Sequence, residues 1–365
     1  MPLQIHSSDP SPSDRRTPAS ARRLDVQTLV LILSVLAIGV GFIFSYVGAF
    51  HDPRLHQDPI AVVAPQQEAS MLSARLDGLA GAPLHAVPVQ RESTARQQVR
   101  NDDVTAALVV DPRGQTDRLL VASGGGAALT LAVEQVLTKV DASQHRSVLS
   151  ADVAPAQSSD YRGVSGFYMV IGWLIAGYFL AALLGLRAGR GASTPRRLGR
   201  RLLLLAPYSI AAGVAGMLIA DTLLGALTGH FLALAGVGAL LVFTAGAVTV
   251  ALQELVGIAG IGIAVVLFVV LGNPSSGGAY QLPLLPGFWR AIGNAIPNGA
   301  GVDAVRRIVY FGSSGVTDRL LTIGAYGLGA IIVALAWTAY RSRRTARARR
   351  PVAVEQIPDA APQPA

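Results

Sequence analysis

Six apolar runs divide this chain, at residues 29–50, 164–186, 202–227, 231–252, 255–272 and 320–340. A helix of about 22 residues rises roughly 33 Å, enough to cross a hydrocarbon core of about 30 Å. Only helices and closed barrels satisfy their own backbone in lipid, and uninterrupted runs of this length predict helices. The stretch 231–272 is 42 residues long, broken only by Gln253 and Glu254. The pattern changes in 51–162. There short apolar strands at 60–63, 84–89, 104–110 and 119–122 alternate with helical segments at 68–80, 93–101 and 127–140, which predicts a small α/β layer.

Charge orients these elements. Arg15, Arg16, Arg22 and Arg23 precede the first run; Arg187, Arg190, Arg196, Arg197, Arg200 and Arg201 lie between the second and third; six more arginines fall at 341–350. Basic residues stay cytoplasmic in short loops and at span ends, so both termini and the 187–201 loop are expected inside. Reading 231–272 as one span would put the last arginine cluster outside. Two spans joined by a tight cytoplasmic turn at Gln253-Glu254 keep every cluster inside. The expected fold is an α-helical integral membrane protein with six transmembrane helices and an extracytoplasmic α/β domain inserted between helices 1 and 2. Its parts are a disordered basic tail (1–26), helix 1 (27–50), the α/β domain (51–162), helices 2–5 (164–272), an extracytoplasmic re-entrant or interfacial loop (273–318), helix 6 (320–340) and a basic tail (341–365). Val47-Gly48-Ala49 resembles a signal cleavage site, but the apolar core before it is too long for a secretory signal, so an uncleaved anchor is expected. The net charge of +8 then reports orientation and contact with anionic lipid, with no nucleic-acid partner.

Candidate chemistry is sparse. The chain has no cysteine, so the α/β domain must fold without disulfides or thiolate-bound metal. The six histidines show no metal-binding spacing, and neither a metal site, a cofactor nor a catalytic residue is expected. Ser123-Gly124-Gly125-Gly126-Ala127-Ala128-Leu129 has the strand-to-helix setting of a dinucleotide loop, but Leu129 replaces the last glycine or alanine. It reads as a flexible turn. Lys139 is the only lysine, and no glycine-rich loop precedes it, so any ATP used must be bound by another polypeptide. Scarcity of lysine also marks a high-GC bacterial genome, hence a bacterial inner membrane. Proton coupling is the other energy source, with Asp221 as the candidate intramembrane carboxylate. Glycines at 213, 216, 225, 229, 257, 260, 262, 324, 327 and 329 let helices approach closely.

The most specific segment lies between the last two runs. It opens with Asn273-Pro274-Ser275-Ser276-Gly277-Gly278 and continues through Leu285-Pro286-Gly287-Phe288-Trp289-Arg290 and Ile296-Pro297-Asn298-Gly299-Ala300 to Arg306-Arg307-Ile308-Val309-Tyr310. Pro274 ends a helix, and 288–295 and 302–311 are apolar enough to dip into the outer leaflet, with Trp289 and Tyr310 at headgroup depth. Asn273, Pro274, Ser275, Ser276, Gly277, Gly278, Pro286, Pro297 and Arg306 are the expected gate, mostly structural in role.

In this order the motifs resemble the permease subunits of ABC type-2 transporters, in the branch near the phage-infection-protein family. The stretch from Ala95 and Val99 to Val104-Thr105-Ala106-Ala107-Leu108-Val109-Val110 is similar to the extracytoplasmic domain of that group. The resemblance spans about 24–345. It implies a homodimer or a paired permease and a cytoplasmic ATPase subunit docking on the 187–201 loop, with Arg196, Arg197, Arg200 and Arg201 as contacts. It implies outward export of a lipid, drug or envelope component by alternating access, with spans two and five lining the path. Two other readings stay open: an ion-coupled small-molecule exporter without an ATPase, and a non-transporting surface receptor.

Overall fold

The computed structural model describes residues 26–188 and 194–348. Arg190 and the arginines before residue 26 or after 348 lie outside them. Two units are distinguished, Met1–Val40 and Gly41–Ala365. The described part of the first is the beginning of helix α1 (Val26–Phe50), whose Leu31, Val35 and Leu36 are largely exposed, as suits a helix face meeting lipid.

In the second unit, a five-stranded sheet precedes a helix bundle. The sheet contains β1 (Asp58–Val63), β2 (Leu84–Val89), β3 (Ala106–Val109), β4 (Thr116–Val121) and β5 (Ser147–Asp152), in the order β2-β1-β3-β4-β5. All neighbours are parallel except β3 and β4. Helices α2 (Gln66–Asp77) and α4 (Ala127–Ala142) cover one face, where Leu76 and Leu137 pack on Ile60, Val62, Leu108 and Leu119. Helix α3 (Glu92–Arg100) covers the other, with Ala95 and Val99 on Ala61, Ala107 and Leu120. Burial on both faces explains why β1 and β3 are continuous apolar runs instead of alternating ones. The apolar pattern predicts four strands; β5 is the addition. It is an edge strand with mostly exposed side chains, so no apolar run marks it.

The bundle comprises α5 (Ser165–Ala188), α6 (Pro195–Met217), α7 (Phe231–Val256), α8 (Ala259–Val265), α9 (Gly272–Ser275), α10 (Gly287–Ala295), α11 (Pro297–Tyr310) and α12 (Val316–Ala348). A π-helical turn extends α6 (Leu218–Leu223), and another joins α8 to α9 (Val266–Leu271). Among the described residues, five helices are long and apolar enough to cross a membrane: Thr28–Phe50, Ser165–Arg187, Pro195–Leu223, Phe231–Val256 and Val316–Arg344. Helix α7 is the axis. Its apolar window is 61 % buried, against 33 % or less in the others. Helices α5, α6 and α12 all pack on it. Close approach needs a missing side chain at Gly213, where a Cβ would stand 2.3 Å from the Ala235 carbonyl oxygen.

The stretch 231–272 does reverse, but not where its polar pair sits. Gln253 and Glu254 lie in the last turn of α7, and the chain turns at Gly257, whose φ of +67° suits glycine. The returning apolar helix is short: Ala259–Ser275, about 25 Å at ~1.5 Å per residue.

Candidate functional site: the buried hairpin and its joint with the sheet

The returning helix hands over to a hairpin lodged inside the protein. Its π-helical turn widens the helix at Phe268, and Asn298 Nδ2 donates to the Phe268 carbonyl at 2.9 Å. The same amide group donates to Asn273 Oδ1 at 3.1 Å, so two asparagines bridge α9 and α11. Ser275 Oγ donates to the Leu271 carbonyl and Ser276 Oγ to the Asn273 carbonyl, at 2.6 and 2.8 Å. Arg306 on α11 reaches back to the Gly277 carbonyl at 3.1 Å. Gly278 lies against the Phe167 ring. Pro297 occupies the first turn of α11, where its missing N–H costs nothing, and Pro286 stands just before α10. The break in the helix is thus buried, and most of its polar groups bond to one another, the condition under which irregular backbone survives away from water.

Of the expected gate residues, the structure gathers Asn273 to Gly278, Pro297 and Arg306 into this region; Pro286 only starts the neighbouring helix. Asn298 belongs with them. It lies inside the Ile296–Ala300 motif, where an amide beside a helix-starting proline is the signal that the sequence offers. Trp289 and Tyr310, expected at headgroup depth, both pack against protein. Trp289 is buried with Ala49 and Leu285, and Tyr310 is packed against the sheet domain.

That second contact explains the glycine run. A Cβ on Gly124 would stand 2.5 Å from the Tyr310 ring, and Phe311 enters the α3-side core of the sheet. Helix α4 begins after Gly126, which has no side chain to cap it; Gln281 from the hairpin supplies the acceptor, taking the Leu129 N–H at 3.0 Å. The run Ser123 to Leu129 is therefore a socket for Tyr310, Phe311 and Gln281. It is filled by protein, neither a nucleotide loop nor a free turn. The Tyr310 hydroxyl donates to Asp160 Oδ2 at 3.0 Å, while Asp160 Oδ1 accepts the Val164 and Ser165 N–H groups that open α5. A cavity of about 10 Å³, the size of one water, lies among Asp160, Arg306 and Tyr310. Arg307 ties Asp303 (2.9 Å) to Asp102 of the sheet domain (2.8 Å). Burial raises the Asp102 carboxyl to about 6 despite Arg307 beside it.

At the opposite end of the bundle, Arg201 and Glu254 form an ion pair at 3.1 Å, with side chains only 10 % and 6 % exposed. Arg201 also donates to Gln253 Oε1 and, at 3.2 Å, to the Ala181 carbonyl, linking α5, α6 and α7. Arg201 was expected on a docking surface with Arg196, Arg197 and Arg200. Those three are exposed on the first turns of α6, but Arg201 faces inward because Glu254 needs a partner there. Asp221 sits half-buried in the π-helical turn after α6, with no side-chain ion pair among the described residues. No cluster of three or more metal-ligating side chains occurs among the described residues.

These features define a multi-pass α-helical membrane protein. No family model, curated protein or solved structure matches the chain.

Proposed function

We propose that this chain is a permease, the transmembrane subunit of an ABC type-2 exporter that moves a lipid, drug or envelope component outward across a bacterial inner membrane. The observation carrying this reading is the buried hairpin α9–α11, seated among α5, α7 and α12 and joined through Tyr310 and Gln281 to the sheet domain. A helix that stops short and continues as a buried hairpin is built to close a path rather than to anchor a domain. In this reading Ala259–Ser275 is the fifth of six crossings, the sheet domain is extracytoplasmic, and both termini are cytoplasmic. Arg196, Arg197 and Arg200 then face a cytoplasmic ATPase, and a second copy or sister permease completes the path. Rearrangement of the hairpin against α5 alternates access.

Two experiments test it. The chain has no cysteine, so single-cysteine variants report topology directly. A membrane-impermeant maleimide applied to intact cells should label Thr317→Cys and leave Arg200→Cys unlabelled until the cells are opened; both labelled alike would sink the six-crossing arrangement. Purification in mild detergent from the native host should recover an ATPase in stoichiometric amount, lost when Arg196, Arg197 and Arg200 are changed to glutamine without loss of folding. A preparation without ATPase, when control complexes survive that detergent, rejects the ABC reading. Export that then persists under ATP depletion and vanishes in Asp221→Asn would point to ion coupling, for which the half-buried Asp221 is the supporting feature.

A further inference from the structure

Helix α4 ends at a corner that ties four elements together. Asp141 lies in its last turn, and the Asp141 carbonyl accepts the N–H groups of Gln144 and Arg146 at 2.8 and 2.9 Å, which turns the chain toward β5. Arg75 of α2 donates to Ser143 Oγ within the same turn at 3.3 Å. Arg146 forks onto Asp117 of β4, with Nε 2.7 Å from Oδ2, and donates to the carbonyls of Gly114 and Asp111 at 3.0 and 2.8 Å. Asp117 Oδ1 also accepts the Asp111 N–H at 2.8 Å.

The Asp141 side chain closes this corner. Asp141 and Asp117 are each 1 % exposed, and their carboxyls are hydrogen-bonded to each other. Two carboxylates in contact resist ionising together, and an ionised carboxylate only accepts, so this bond requires one proton. Arg146 decides which partner carries it. Asp117 is compensated by that guanidinium and by an amide, whereas no donor among the described residues reaches Asp141 Oδ2. A charge on Asp141 would also stand at the C-terminal end of a 16-residue helix, where the macrodipole disfavours an anion. The proton therefore belongs to Asp141.

We propose that this shared proton is a latch: while held it fixes the end of α4 to β4, and its loss as the pH rises frees the corner 141–146. The inference does not depend on the transport reading. Burial, then the neighbouring Asp117 charge, raises the Asp141 carboxyl to about 7, with Arg146 opposing. Burial acts on Asp117 as well, but Arg146 outweighs it and holds that carboxyl below its ordinary value. The folded pKa of Asp141 thus lies above the unfolded value of about 3.9. The stability that the latch lends is complete below about pH 4 and lost as the pH rises through about 7. The other charged groups around the pair are Glu68 and Arg75 on α2, Asp111 and Arg113 in the turn after β3, Lys139 on α4 itself, and His145 and Arg146 in the turn before β5.

The chain has no cysteine, so a single introduced thiol reports the opening of this corner. Val140→Cys, at a position 7 % exposed beside Asp141, is reacted with 4,4′-dithiodipyridine in the full chain in lipid nanodiscs between pH 5 and pH 8.5. At each pH the rate is divided by that of the same thiol in an Asp141→Asn background, where the carboxamide donates to Asp117 at every pH. Thiol and reagent chemistry cancel in this ratio. It should rise by about tenfold or more from pH 5 to pH 7 and then level off. His145→Gln should leave the rise intact. If Asp141→Asn fails to fold, the reference becomes Val133→Cys, in the fully buried middle of the same helix, and the same rise is expected. A ratio that stays flat from pH 5 to pH 8.5 against either reference, or a rise that disappears in His145→Gln, would overturn the proposal.

Discussion

The two ends of the helix bundle hold their buried arginines in different ways. At the end away from the sheet, Arg201 has a carboxylate partner, a glutamine and a carbonyl, and three helices close around it. At the sheet end, Arg306 donates to the Gly277 carbonyl, and the joint is assembled from single contacts: one tyrosine hydroxyl, one glutamine cap, two aromatic rings on glycine and an Arg307 bridge. A desolvated ion pair is expensive to break, because each partner left alone keeps its full desolvation cost. Single hydrogen bonds exchange with water at about 0.5–1.5 kcal/mol each when neutral and about 1.5–3 kcal/mol when one partner is charged, as at Asp160. The far end is a clamp, and the sheet end is a joint whose parts can separate one at a time.

The sharpest way to break this contrast is at the clamp. Glu254→Ala leaves the Arg201 charge buried and unpaired and should cost about 3–5 kcal/mol in detergent-solubilised unfolding, while the double change Arg201→Met with Glu254→Met should recover most of it. A loss under about 1 kcal/mol would place water at the pair and erase the distinction.

The next effect lies in the sheet domain and depends on pH. Burial raises the Asp58 carboxyl to about 7, although Thr105 donates to it at 2.9 Å, and Asp102 adds to the rise. Its folded pKa is above the unfolded value, so the folded state holds the extra proton between about pH 4 and pH 7. The stability this lends is complete below the unfolded pKa and lost as pH rises through about 7. Asp58→Asn keeps the Thr105 bond without a charge. It should raise the stability of the sheet domain at pH 8 by about 2–4 kcal/mol and do little at pH 4, which denaturation of the two proteins at both pH values would read.

Smaller changes probe the joint itself. Gly124→Ala puts a methyl into the Tyr310 ring and should cost about 1–3 kcal/mol, with faster amide exchange in both α11 and the 123–129 loop. Faster exchange in only one of them would mean that the two segments do not support each other. Tyr310→Phe removes a single hydrogen bond to a carboxylate, while Asp160 keeps its two backbone partners, so a loss of about 1.5–3 kcal/mol is expected. A loss as large as that of Glu254→Ala would make the joint a second clamp.

Long apolar runs made the membrane helices legible, because crossing lipid demands a length and composition that little else imitates. Strands β1 to β4 were legible for a related reason, since burial on both faces writes continuous apolar runs. The edge strand β5, half polar and exposed, left no such mark. The turn after α7 is not legible in the polar pair, because Gln253 and Glu254 face inward to meet Arg201 and the bend falls at Gly257.

What the sequence determined by itself was therefore the class of protein and the segment that breaks its helices: a multi-pass membrane chain with a mixed α/β insert and an irregular stretch at 273–311. These follow from the solvation of each residue, a local property. Only the tertiary structure decided that the glycine run receives Tyr310 and Gln281, that Asn298 satisfies a widened turn thirty residues earlier, and that Arg201 belongs to Glu254. Each of these joins residues far apart in the chain. The partner of a buried polar group is set by which surfaces meet on folding, and no local pattern records it.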